Sequence, residues 1–238
     1  MPAKSKQRKT TASKAARPVV KKSAAPKAVP AKKMEAVSEP DAMVPVVKEL
    51  KINPGRKAKV LSSELRYEVP LFRIYNETVK ESGGKVLSRD IIRHNGSVVI
   101  LPVDSSKSKR DPYIVLERQY RHAAGQFLYE VPAGKMEPGE NRLRAAKREL
   151  LEETGYTARK WTQLTRYFAS PGFLGEWMQV FLAEELVPGP SCPEDDESIE
   201  LLRVPLSELL RLIDRGQVQD GKTLVSVLSF ARLLGQRK

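Results

Sequence analysis

From residue 66 onward, apolar and polar positions follow a period of two in short runs, each bounded by turn residues. Residues 66–74 alternate and predict a strand. Gly83-Gly84 marks a turn, residues 85–93 a second strand, and Asn95-Gly96 is a hairpin signal. Residues 97–103 are more continuously apolar, a third strand. A polar turn at 105–110 separates it from strands at 113–119 and 126–131. Further strands are predicted at 161–167, 178–184 and 201–204. Two helices, 207–215 and 223–234, close the chain, with Gly216 and Gly221 as punctuation between them. Strands and helices mix without regular βαβ alternation, and no internal repeat is visible. The pattern predicts an α/β fold with a mixed sheet sandwiched by helices.

The period changes once in mid-chain. Pro132, Gly134, Pro138 and Gly139 punctuate a loop. A helix is predicted from about residue 140 to 154, and Gly155 suits the position just past its end. Leu143, Ala146 and Leu150 recur at helical spacing and should face a core. On the same helix Glu149, Glu152 and Glu153 are three and four residues apart and share a face. Like charges so placed repel, and a divalent cation would neutralise them. Mg2+ and Mn2+ favour carboxylate oxygens and retain waters, as phosphate chemistry requires. Arg148 stands four residues before Glu152 and could hold a glutamate in place. The competing reading is a solvated helix face.

Gly134, Glu140, Arg148, Glu149, Leu150, Glu152, Glu153, Gly155 and Tyr156 fit the pattern G-x5-E-x7-R-E-U-x-E-E-x-G-U, where U is apolar. This resembles the Nudix box, the signature of hydrolases that cleave a nucleoside diphosphate linked to another moiety. Tyr156 departs from the aliphatic residue usual there, though its ring can pack. The likeness extends beyond the box. Gln119-Tyr120-Arg121 followed by Glu130-Val131-Pro132-Ala133-Gly134 is similar to the ADP-ribose pyrophosphatase branch. So are Pro171, sixteen residues past Gly155, and the acidic run from Glu194 to Glu197.

The resemblance implies the Nudix α/β/α sandwich with a mixed sheet, preceded by a small antiparallel sheet. Residues 109–238 would be the hydrolase domain, and residues 59–108 an N-terminal β subdomain that makes a homodimer. It implies Glu149 and Glu153 as ligands of Mg2+ or Mn2+, helped by Glu152 and the carbonyl of Ala133. Glu197, from the acidic loop, would complete the metal shell or act as base, the choice among residues 194–197 staying open. Glu140 and Arg148 would brace the site, with Gly134 and Gly155 as structural support. Arg121 would grip the diphosphate, a surface salt bridge being its alternative, and Pro171 would lie at the substrate. The reaction implied is hydrolysis of ADP-ribose to AMP and ribose 5-phosphate. GDP-mannose or another nucleotide sugar is the alternative substrate, and a non-hydrolytic nucleotide-binding regulator the alternative class.

Charge separates this region from the rest. Residues 1–33 hold nine lysines, two arginines and no acid, eleven of the chain's net charge of +13. This Lys-Ala-Pro-Ser segment has no aromatic residue and cannot bury enough apolar surface to offset its ordering entropy. Residues 1–58 therefore read as a disordered basic tail and linker. Three roles stay open for the tail: nonspecific nucleic-acid contact through phosphates, a solubilising extension, or an organellar presequence, which usually favours arginine over lysine. No apolar run approaches the roughly 20 residues of a membrane span, and no apolar segment follows the basic start. Cys192 is the sole cysteine. No intrachain disulfide can form, which fits a reducing compartment, and a cytoplasmic location is expected. His94 and His122 are too few and too scattered for a zinc site.

Overall fold

The computed structural model describes residues 57–189 and 199–236. The basic tail, the linker up to residue 56, Cys192 and the acidic run with Glu197 lie outside the described residues. A three-stranded antiparallel sheet comes first, built from β1 (Lys59–Glu68), β2 (Arg73–Lys80) and β3 (Val86–Arg93) in that order. The single strand expected at 66–74 is a hairpin instead. Val69 N donates to Phe72 O at 3.0 Å, closing a turn around Pro70-Leu71. Pro70 lacks an N–H and breaks the ladder, while the alternation runs on across the turn because it adds an even number of residues. β1 is exposed along its whole length, including Val60, Leu61, Leu65 and Tyr67.

The larger sheet has seven strands. These are β4 (Ser97–Asp104), β5 (Tyr113–Arg121), β6 (Gln126–Glu130), β7 (Ala133–Lys135), β8 (Tyr156–Phe168), β9 (Trp177–Pro188) and β10 (Glu200–Pro205). The main order is β10-β5-β4-β9-β8, with β6 on β5 and β7 on β4. Only β4 and β9 run parallel, so the sheet is mixed. β4 explains its own sequence. Val98 and Ile100 pack with Ala145, Ala146 and Leu150 of α1 (Arg142–Thr154) on one face. Val99, Leu101 and Val103 pack on the other with Leu206 and Leu209 of α2 (Leu206–Asp214) and Val227 and Phe230 of α3 (Gly221–Gln236). A strand buried on both faces has no reason to alternate. The result is the α/β/α sandwich that the pattern predicted. The small sheet ends at Arg93, and β4, from the same 59–108 stretch, lies in the middle of the larger one. Tyr156 packs its ring on the α1 side of the core.

One irregularity of this sheet positions the site. β4 pairs with β5 only at Val103–Ile114 and Asp104–Tyr113. Beyond that point β5 continues against β6, and β4 against β7, with Ile100 N donating to Pro132 O at 2.8 Å. Residues 130–135 thus enter the split between two central strands. No helix among the described residues is long and apolar enough to cross a membrane.

Candidate active site

Helix α1 is set at both ends by its own sequence. Asn141 Oδ1 accepts from Leu143 N at 3.0 Å and Arg144 N at 3.3 Å, a side-chain N-cap. Gly155 closes the helix at φ +70°, where a side chain would be strained, and its N–H returns to Leu151 O. So fixed, the helix buries Glu149 and Glu153 to 8% and 9% exposure. Buried carboxylates need partners. Glu153 Oε2 accepts from Ala133 N at 3.0 Å. Glu149 Oε1 lies 2.8 Å from the Arg148 guanidinium. The same guanidinium reaches Glu152 at 2.9 Å and Glu140 at 3.2 Å. Burial alone would lower the affinity of Arg148 for its proton, but Glu140, Glu149 and Glu152 outweigh it, and the group is held well above its ordinary range. Arg148 therefore stays charged at every accessible pH.

Gly134 lies directly under this cluster. A Cβ built there would fall 2.0 Å from the Glu149 carboxylate, so only glycine leaves room for it. Gly134, Arg148, Glu149, Glu152 and Glu153 share one cavity of about 730 Å3 with Arg121, Ala133 and Lys135. Three carboxylates, Glu140, Glu149 and Glu152, meet one guanidinium here, and Glu153 lines the same cavity as Glu149 and Glu152. Its oxygen donors, held over a glycine cradle, suit in kind a hard divalent cation. Among the described residues, no three His, Cys, Asp or Glu side chains are gathered closely enough to hold a metal ion by themselves. A larger depression of about 1190 Å3, lined by Lys109, Leu206 and Phe230, holds none of these acids.

Arg121, at the end of β5, also lines the cavity, but its guanidinium is already engaged. Nε and Nη2 each donate to Glu130 at 2.8 Å, a bidentate pair. Glu130 is buried, and its Oε2 also accepts from Lys222 Nζ, which donates in turn to Asp220 at 3.0 Å. Burial pushes the Glu130 carboxyl up, yet the Arg121 fork and the Lys222 charge more than offset it, leaving it below the usual carboxylate range. Arg121 thus forms a salt bridge in the cavity wall, with Nη1 outside the fork.

Pro171 sits exposed in the turn at 171–173 and is not part of the cavity wall, whereas Leu174 and Glu176 of the same connection are. Glu197 lies outside the described residues. Several wall residues carried no signal in the sequence. Ser97 Oγ donates to Glu176 Oε1 at 2.6 Å, and Gly96 N donates to His94 Nδ1 at 3.0 Å. Leu71, Phe72, Ile92 and Met178 supply an apolar side, and Lys222 arrives from α3. No local spacing announces them, because they come from four separate segments.

A model of the NUDIX domain matches residues 93–225, more than half of the chain. The chain belongs to the Nudix family. Hydrolases of this family generally depend on a divalent metal. Among its Nudix relatives is the ADP-ribose pyrophosphatase of Bacillus subtilis, 38% identical over 172 residues, which cover 71% of this chain and 90% of that one. A GDP-mannose pyrophosphatase of Shigella flexneri is 31% identical, with 75% and 95% covered. The crystal structure of an ADP compounds hydrolase superposes with a TM-score of 0.67 over 76% of this chain and 96% of its own. At 22% identity it speaks for the fold alone. The cavity described above is lined by the Nudix helix of this fold.

Proposed function

We propose that this Nudix hydrolase cleaves the diphosphate of ADP-ribose, giving AMP and ribose 5-phosphate. The observation that carries the reading is the shared cavity of the α1 acids and Arg121, in a chain similar at 38% identity to an ADP-ribose pyrophosphatase. Glu149, Glu152 and Glu153, with the carbonyl of Ala133 and an acid of the 194–197 run, read as Glu197, would hold Mg2+ or Mn2+. When bound, such an ion supplies positive charge to the diphosphate oxygens and makes a nearby water more acidic. Glu197 takes the proton of the attacking water. Water oxygen bonds to one phosphorus, the bridging P–O bond breaks, and the second phosphate leaves with its electron pair. Arg121 meets the developing charge. Glu140 and Arg148 hold the acids apart and in register, and Gly134 and Gly155 keep the loop and helix end in place.

The relatives named for GDP-mannose support a second substrate reading on the same chemistry. Product analysis across ADP-ribose, GDP-mannose, UDP-glucose, NADH and 8-oxo-dGTP separates them. We expect AMP and ribose 5-phosphate to form fastest. ADP-ribose among the poorest substrates would overturn this reading, and Mg2+-dependent binding without products would make the protein a nucleotide-binding regulator. A homodimer through the small sheet, a cytoplasmic location and nucleic-acid contact through residues 1–33 complete the proposal. The last is tested by salt-dependent DNA binding of the full chain against one starting at Lys59, where equal weak binding speaks against it.

A further inference from the structure

Lys222 stands at the start of α3 and reaches the cavity wall from 92 residues away in sequence. Its side chain is 10% exposed, against a Glu130 side chain exposed by only 2%. It is anchored from behind. Asp220 accepts from Lys222 Nζ at 3.0 Å and from Thr223 N at 2.9 Å. Thr223 Oγ1 donates to Asp220 at 2.6 Å and accepts from Val131 N at 2.9 Å. The start of α3 is therefore tied to the segment that carries Glu130 and leads into Ala133 and Gly134.

Glu130 thus has two cations, of different exposure. Arg121, partly exposed, faces the cavity. Lys222 is fixed in the wall. If Arg121 turned part of its guanidinium to a substrate diphosphate and were the only partner of Glu130, a buried carboxylate would be left under-compensated, an expensive state. Lys222 removes that obstacle, because its own bonds to Glu130 and Asp220 do not depend on where Arg121 points. We propose that Lys222 is a positioning residue for the hydrolysis: its ammonium holds Glu130 in place from the wall side, so that Arg121 can engage the diphosphate. This rests on the reading of Arg121 as the diphosphate contact.

The test uses the full-length protein and steady-state kinetics with ADP-ribose. Lys222→Met should raise KM about tenfold or more, as loss of a charged hydrogen bond does, with kcat within about threefold. Lys222→Arg should restore most of the loss. In a Glu130→Gln background, Lys222→Met should add less than about twofold, since both act through one group. Unchanged KM in Lys222→Met, fully multiplicative effects with Glu130→Gln, or a parallel fall of kcat and melting temperature that Lys222→Arg does not rescue would each overturn the proposal. Lys222→Gln replaces the methionine variant if that one does not fold. Arg121→Ala tells the two levels apart. If it leaves KM unchanged, the parent reading of Arg121 fails. If it raises KM while Lys222→Met does not, only the role of Lys222 fails. Should the wild type prefer another diphosphate of the panel, the same series is run on that substrate.

Discussion

The α-carbon of Gly134 and the carboxylate of Glu149 occupy adjoining space, such that a Cβ on the first would lie 2.0 Å from the second. Gly134→Ala must therefore push Glu149 out of place or shift the loop. Glu149 cannot yield cheaply, because it is buried and held by Arg148. We expect Gly134→Ala to remain folded with a stability loss of about 1–3 kcal/mol, the usual scale of overpacking. The rate should fall much further, about hundredfold, since small misplacements of a catalytic group are that damaging. Turnover against Mg2+ concentration, beside a melting curve, checks both. Near-normal turnover would mean that Glu149 does not act from its observed position.

Arg148 joins Glu140, Glu149 and Glu152 through one planar group. Lysine keeps the charge but cannot reach three carboxylates in a fixed fork. Arg148→Lys should therefore lower kcat/KM by about tenfold or more, because the acids lose their mutual spacing while the net charge stays the same. If kcat/KM is retained, charge alone suffices and the fork geometry is irrelevant.

How far the sequence could be read depended on whether a signal was local. The helix acids, the helix end at Gly155 and the continuously apolar strand β4 are set by neighbours in sequence, so they were legible, whereas the side-chain cap of Asn141 was not read and the helix begins at Arg142 rather than at about residue 140. The turn at Pro70-Leu71 was hidden by an alternation that continued across it. β7, three residues long, exists because the sheet splits between β4 and β5 and leaves β4 an unpaired edge. β8 begins at Tyr156 rather than 161, since its first half, with Thr157, Arg159 and Lys160, has little apolar periodicity and is carried by pairing with β9. Lys222 and Glu130 are ordinary charged residues until the topology brings them together. The fork on Glu130, rather than an open Arg121, is likewise a tertiary fact.

The acids also set a pH response. Glu130 is held below its ordinary value of 4.5, burial pushing it up and the Arg121 fork and Lys222 pulling it further down. Glu140 is lowered chiefly by its hydrogen bond from Arg148, against a smaller effect of burial. A carboxyl whose folded pKa is depressed contributes stability above its unfolded pKa, and that stability is lost as pH falls through the folded value. The wild type should therefore lose melting temperature on acidification below pH 4.5. Glu130→Gln should melt lower at pH 7, because Arg121 and Lys222 lose their shared anion. It should also fall less steeply as pH drops below 4.5, so that the two curves converge. Parallel curves would show that Glu130 is not an acid-sensitive part of the fold.

Glu153 offers a way to separate cation binding from folding. Its Oε2 accepts the Ala133 N–H at 3.0 Å, a bond that the amide oxygen of glutamine can also accept. Glu153→Gln thus can keep this hydrogen bond while removing one negative charge from the cavity. If Glu153 holds the divalent ion, three results follow together. The melting temperature without metal should change little. The rise in melting temperature on adding Mg2+, which the wild type should show because the ion binds only the folded state, should shrink. Turnover should drop by about hundredfold or more, on the scale of losing metal charge stabilisation worth several kcal/mol. Excess chelator should abolish wild-type turnover and erase the Mg2+-induced shift. A variant that keeps both the shift and the rate would move the ion away from Glu153, leaving Glu149 and Glu152 as the acids of the helix to hold it.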